Sequence, residues 1–228
     1  LAVLRALQGR DREALDLRLE EYAARRVMLG DNDSRTLDAG LTVVTLYLAV
    51  DRLDDATAFY SDMIRRRAES RGDDDPTVIA WRRDLGAILF DAGRIEEARP
   101  VLSAALEGEA AIATAPDASP GDKNNAAWEL LTCVDESLRD PARALAFARA
   151  ACEGTDFEDF AHLDTYALAL FETGDAAQAV AMSRKAVELL PDDLAEDDPV
   201  REAVLDALAT YEAAIAAADD ATATEAGS

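Results

Sequence analysis

The chain has 228 residues, 50% of them hydrophobic, which is enough to build a core and too apolar for a disordered protein. Its 47 acidic residues outnumber 23 Lys and Arg, a formal net charge of -24, so most of the surface repels polyanions and neither nucleic acid nor an anionic membrane is expected as a partner. No stretch reaches the ~18 uninterrupted apolar residues of a membrane span, and no basic segment followed by an apolar run marks a secretory leader; the sequence reads as soluble and cytoplasmic.

Aromatic content is only 6% while Ala and Leu recur throughout, which favours closely packed helices. The chain opens at Leu1 inside a running helical pattern, as a piece of something longer would, and Leu15, Leu19, Tyr22 and Val27 continue that pattern through a partial helix pair over residues 1–29. An acidic turn, Gly30-Asp31-Asn32-Asp33-Ser34, then ends one helix and caps the next, opening a pair over 33–71 in which Ala56, Tyr60, Met63 and Ile64 share one face. A second such turn, Gly72-Asp73-Asp74-Asp75-Pro76, opens the pair over 76–113. Shifting the chain by 42 residues superimposes the two turns and aligns Gly9-Arg10, Asp51-Arg52 and Gly93-Arg94, each followed four residues after the Arg by Ala14, Ala56 or Ala98. Pro116 and Pro120 make the loop from Ala113 to Gly121 the expected flexible joint. Beyond it the period drifts, with pairs expected over 122–153 and 156–190. A capping helix is expected over 197–217, with Val200, Val204, Leu205, Leu208, Tyr211 and Ile215 on its apolar stripe, and a disordered acidic tail over 218–228.

The segment from Phe160 to Pro191 resembles a tetratricopeptide (TPR) repeat, carrying Leu163, Tyr166, Ala167, Leu170, Gly174, Ala179, Ala186 and Pro191 at that family's spacings; Ser183 stands where a bulky residue is usual. The 42-residue units resemble the longer kinesin-light-chain-like variety, although Leu41-Thr42 and Arg83-Asp84 replace its paired asparagines. The run from Asn124 to Cys133, followed by Leu138-Arg139-Asp140-Pro141, resembles repeats found C-terminal to bacterial serine/threonine protein kinase domains. The resemblance covers residues 1–191 and implies an all-α fold, a TPR-like α-solenoid of antiparallel helix pairs closed by a C-terminal capping helix. In such arrays no pair buries its apolar faces alone; neighbours must stack.

The resemblance also implies that first helices line the concave face, which nominates Thr42, Thr45, Arg83, Asp84 and Ala87, and further along Asn124, Asn125, Trp128, Thr165 and Leu168. Asn124, Asn125 and Trp128 form the most ligand-like group, since amides pair with an extended peptide backbone and an indole covers an apolar side chain. The alternative is that Trp128 packs between helices while the asparagines cap a helix start. Arg83 and Asp84 either read charge on a partner or form ordinary surface ion pairs. Arg65-Arg66-Arg67 is expected as an exposed stripe pairing with nearby acids.

His162, the single histidine, sits among Glu158, Asp159 and Asp164, but one imidazole with scattered carboxylates lacks metal-ligand spacing, and the acidic turns lack the twelve-residue calcium-loop layout. Cys133 and Cys152 are expected as reduced thiols. With no phosphate-binding glycine loop, no Gly-x-Ser-x-Gly elbow and no complete kinase catalytic loop around Arg83-Asp84-Leu85, no enzyme activity and no cofactor are expected. The function expected is a scaffold that binds a partner protein, peptide or helix. A regulatory or sensory region of a larger enzyme such as a kinase, self-association and a purely structural spacer are the alternatives.

Overall fold

The computed structural model describes residues 2–226, with side chains from 12 to 218. Every regular element among them is helical: α1 (Ala2–Leu29), α2 (Ser34–Ala49), α3 (Leu53–Arg71), α4 (Pro76–Asp91), α5 (Ile95–Ala113), α6 (Pro120–Thr132), α7 (Pro141–Gly154), α8 (Phe160–Glu172), α9 (Ala176–Glu188) and α10 (Pro199–Ala226), with a single 3-10 turn at Glu136–Leu138. The chain divides into two compact units, Leu1–Gly108 and Glu109–Ser228. That division falls inside α5, not in the proline-bearing loop, whose end is instead fixed by a reciprocal cap in which Ser119 accepts from the Asp122 amide and Asp122 accepts from the Ser119 amide.

The helix ends are set by a small vocabulary of local chemistry. Three first helices close with the same bond from the residue three past the end back to a carbonyl five residues earlier: Arg52 to Tyr47, Arg94 to Leu89 and Asp175 to Leu170, each 2.9 Å. That closure needs a left-handed residue just before the donor. Gly93 (φ 75°) and Gly174 (φ 92°) provide it, and Asp51 (φ 59°) does so in the remaining case, aspartate being one of the few side chains that tolerates the region. The acidic turns act as caps: Asp33 accepts from the Arg35 amide, and Asp75 from the Thr77 and Val78 amides ahead of Pro76. The offset that aligns Gly9-Arg10 with these turns does not produce a turn there, because α1 runs unbroken from Ala2 to Leu29. One glycine costs a helix only about 1 kcal/mol, and its neighbours are strong helix formers.

In the first unit α1 packs on α2, α2 on α3, and α3 on α4. Leu15, Val43, Ile79 and Val78 are almost fully buried, and the ring pairs Tyr22–Phe59 (centroids 5.1 Å), Tyr47–Phe59 (6.0 Å) and Tyr60–Trp81 (5.9 Å) join α1 to α3, α2 to α3 and α3 to α4. Gly86 of α4 lets α5 approach: a Cβ there would stand 2.5 Å from Leu102 Cγ. Of the arginine run only Arg65 is exposed as its charge suggests, paired with Asp62 and Glu69. Arg66 and Arg67 side chains are only 16% and 14% exposed, Arg66 donating to Tyr22 Oη (2.7 Å) and Arg67 to both Asp75 oxygens (3.1 Å), so both clamp neighbouring helices.

The second unit replaces aromatic pairs with alanine. Ala126 and Ala127, Ala144 and Ala148, Ala167 and Ala169, and Ala179 and Ala186 are fully buried, which allows close packing within α6–α7 and α8–α9. Ser183, small where the family resemblance wants bulk, is itself fully buried, so its size matches the closeness of its neighbours. The last helix packs on α9 and α8 through Val204 and Tyr211, the latter ring 4.6 Å from Phe171. It continues past residue 217 to Ala226, so the stretch expected to lack structure is helical up to that point; the alanines at 213, 214, 216, 217, 218 and 221 favour helix more than the small polar residues oppose it. Gly227 and Ser228 lie outside the described residues.

Candidate functional site

The ten residues nominated from the sequence separate into two kinds of environment. Thr42 and Thr45 are exposed on α2 and turn their hydroxyls back onto the carbonyls of Asp38 (2.9 Å) and Leu41 (3.0 Å). Asp84 accepts from Tyr60 Oη (3.3 Å), a bond that locks α3 to α4, while Arg83 and Ala87 are half-buried on the same helix. Leu168 is half-buried on α8. Asn124, Asn125, Trp128 and Thr165 behave differently, because they line one groove of about 460 Å³ in the second unit.

Three helices build this groove with one repeated register. Helix α6 contributes Asn124, Asn125 and Trp128, helix α8 contributes Phe160, Ala161, Asp164 and Thr165, and helix α10 contributes Pro199, Val200, Ala203 and Val204. In each set the residues stand at positions i, i+1 and i+4, the spacing that keeps side chains on one helical face. Helix α8 packs against both others, so the first helices of successive pairs lie side by side, with α10 in the place of the next first helix.

Trp128 is not a core residue: it is 44% exposed, beside Val200 at 46%. Nor do the asparagines cap their helix, since Ser119 and Asp122 occupy that role five residues upstream. The Thr165 hydroxyl is spent on the Ala161 carbonyl (3.1 Å), which leaves Thr165 to contribute shape.

The residue that sequence reading missed is Asp164. It was visible only as a neighbour of His162, yet that imidazole is buried on another side, with Nδ1 3.4 Å from Thr155 Oγ1. Asp164 Oδ1 is buried in the groove with no hydrogen-bond partner, as is Asn124 Oδ1. Burial pushes the Asp164 carboxyl up to about 6, no charged neighbour offsetting the loss of water. The available signal was a carboxylate four residues after Phe160, on a helix whose other faces are apolar.

No group of three or more metal-ligating side chains gathers among the described residues, and no described helix is long and apolar enough to cross a membrane. Both cysteines are buried and free, with burial holding the Cys152 thiol at about 12.

No family model matches the chain, and no curated protein matches it. Among solved structures it is similar to BtubC (BKLC) from P. vanneervenii, with 20% identity and a TM-score of 0.56 over 96% of this chain and 91% of that one. It is also similar to a putative kinesin light chain from Podosopora anserina with nearly identical TPR-like repeats, at 15% identity and a TM-score of 0.51, over 82% of this chain and 92% of that one. The likeness shows the fold, a TPR-like α-solenoid of antiparallel helix pairs.

Proposed function

We propose that this chain is a non-catalytic protein-interaction module, and that the groove between α6, α8 and α10 receives a segment of a partner protein. One observation carries the reading: Trp128, a residue type that ordinarily seeks burial, stands 44% exposed in a groove walled by three helices, the middle one, α8, packed on both others. Apolar walls from Phe160, Pro199, Val200 and Val204 surround it, and the Asn125 amide at the rim supplies donors and an acceptor for a peptide backbone.

The two tryptophans make this testable without a label. Trp81 is 5% exposed in the first unit and serves as a constant background, whereas Trp128 loses water when the groove fills. Peptides selected from a displayed random library should shift the emission to the blue, and Trp128→Ala should weaken them by about thirtyfold, the ~2 kcal/mol expected of an interfacial anchor. Selected peptides that leave the emission unchanged and bind Trp128→Ala equally well would place recognition elsewhere.

A further inference from the structure

We infer that the groove selects a partner segment presenting a lysine or arginine side chain, whose cationic head meets Asp164 while its stem lies against Trp128 and Phe160; this rests on reading the groove as the docking site. Asp164 Oδ1 and Asn124 Oδ1 are both buried acceptors without a donor, in the same groove. A buried acceptor left unpaired costs ~1–3 kcal/mol, more when charged, so the groove is incomplete without a donor. The asparagine can turn its amide over and present nitrogen instead, but a carboxylate has no such option. Asp164 therefore fixes what the occupant must bring.

Within the molecule that donor is missing. Asp164 takes part in no salt bridge among the described residues, and Arg201, the one basic residue beyond residue 191, is turned away to the carbonyls of Pro191 and Leu194. The apolar remainder of the groove suits the methylene stem of a long basic side chain, and the indole face adds attraction for its cation. Long-range charge points the same way: from residue 192 onward, which includes the α10 wall, eleven acidic residues face a single basic one, within a net charge of -24. An acidic segment would meet repulsion at both ranges, and an apolar one would seal Asp164 away from water without a partner.

The test uses the full chain and peptides recovered from a random displayed library, each resynthesised with every Lys or Arg replaced in turn by norleucine or by glutamate. Titration by fluorescence anisotropy should find one basic position whose replacement by norleucine weakens binding at least about tenfold, with glutamate weaker still. Asp164→Asn, which keeps the shape, should erase the preference for lysine over norleucine, while Trp128→Ala weakens all the peptides alike. Norleucine or glutamate binding as well as lysine, with Trp128→Ala still damaging, would overturn the basic anchor and leave the docking groove standing. Peptides indifferent to Trp128→Ala would overturn the groove reading and this inference with it. The norleucine comparison needs only the unaltered protein, so the outcome does not hang on any variant folding.

Discussion

Asp164 and Asp75 show how one residue type takes opposite parts in the same fold. Burial also raises Asp75, but Arg67 and the hydrogen bonds of its cap outweigh that, and the net shift is downward. Asp75 therefore contributes stability that is present above the ordinary carboxylate range and disappears as the pH falls through its lowered value. Asp164 has no such compensation and is raised from 3.8 to about 6. Between those values the folded chain holds a proton that the unfolded chain has released, so stability rises as the pH falls from above 6 towards 4. The groups that face it do not blunt this: Asn124 is uncharged, and Tyr211 of α10, held at about 12 by its own burial and then by Asp164 and Glu172, stays neutral throughout the range. Replacing the carboxylate with its neutral isostere in Asp164→Asn should stabilise the protein by about 1–2 kcal/mol at about pH 8 and by almost nothing at about pH 4. Urea titrations at the two pH values measure it, and a pH-independent difference would mean that the carboxylate is hydrated in the groove. A charge retained at a stability cost, in the one groove holding an exposed tryptophan, fits a residue kept for binding. None of this was legible beforehand: helical periodicity says which face Asp164 shares with Phe160 and Ala161, but not that the surrounding side chains bury Oδ1 and offer it no donor.

Most ends between α2 and the start of α10 were legible in the sequence, because they are written in residues with a restricted conformational use, whereas the far end of α10 was not. Gly93 and Gly174 at left-handed positions, Asp75 ahead of Pro76 and Asp159 ahead of Phe160 mark where one helix stops and another starts. Asp51 follows the same rule in a less recognisable form, and Gly9 shows the limit of reading repeats by offset, since a column match carries no information about whether anything packs across the turn. The groove needed more than periodicity. Asn124, Asn125 and Trp128 could be placed on one helical face from their spacing, but the α10 wall could not, because α10 was read as a lid over the end of the array. It does cover that end, through Tyr211 against Phe171 and Arg184 paired with Glu212, and it also forms a third of the groove with Pro199, Val200, Ala203 and Val204. Deleting residues 197–228 should therefore have two separable effects. The melting temperature should fall by several degrees, about 4–8 °C per kcal/mol in a unit of this size, and self-association should increase on the bared faces of α8 and α9. Peptide affinity should vanish even at temperatures where the truncated chain stays folded. Circular dichroism melting, light scattering and anisotropy read these in turn, and an unchanged melting curve would deny α10 its structural part.

Charge acts on the molecule as a whole, and it sets stability and binding against each other. Most of the ion pairs are local and exposed, such as Arg65 with Asp62 and Glu69, Arg52 with Asp55, and Arg149 with Glu153, and pairs of this kind contribute ~0–1 kcal/mol each. Salt removes that small gain, but it also screens the self-repulsion of a chain carrying a net charge of -24, which grows with the square of the excess. Repulsion is the larger quantity here, because 47 carboxylates face 23 cationic side chains and 24 negative charges remain uncompensated. Raising NaCl from about 20 mM to about 300 mM shortens the screening length from roughly 20 Å to below 8 Å, and the melting temperature should rise with it. A basic peptide seated on Asp164 should respond in the opposite direction, its affinity falling over the same range as screening removes long-range attraction, whereas a norleucine peptide held by Trp128 alone should scarcely change. Melting curves and anisotropy titrations along one salt series therefore distinguish a protein that tolerates its acidity for the sake of solubility from one that uses it to gather a cationic partner: parallel slopes for the two peptides would mean the former, divergent slopes the latter.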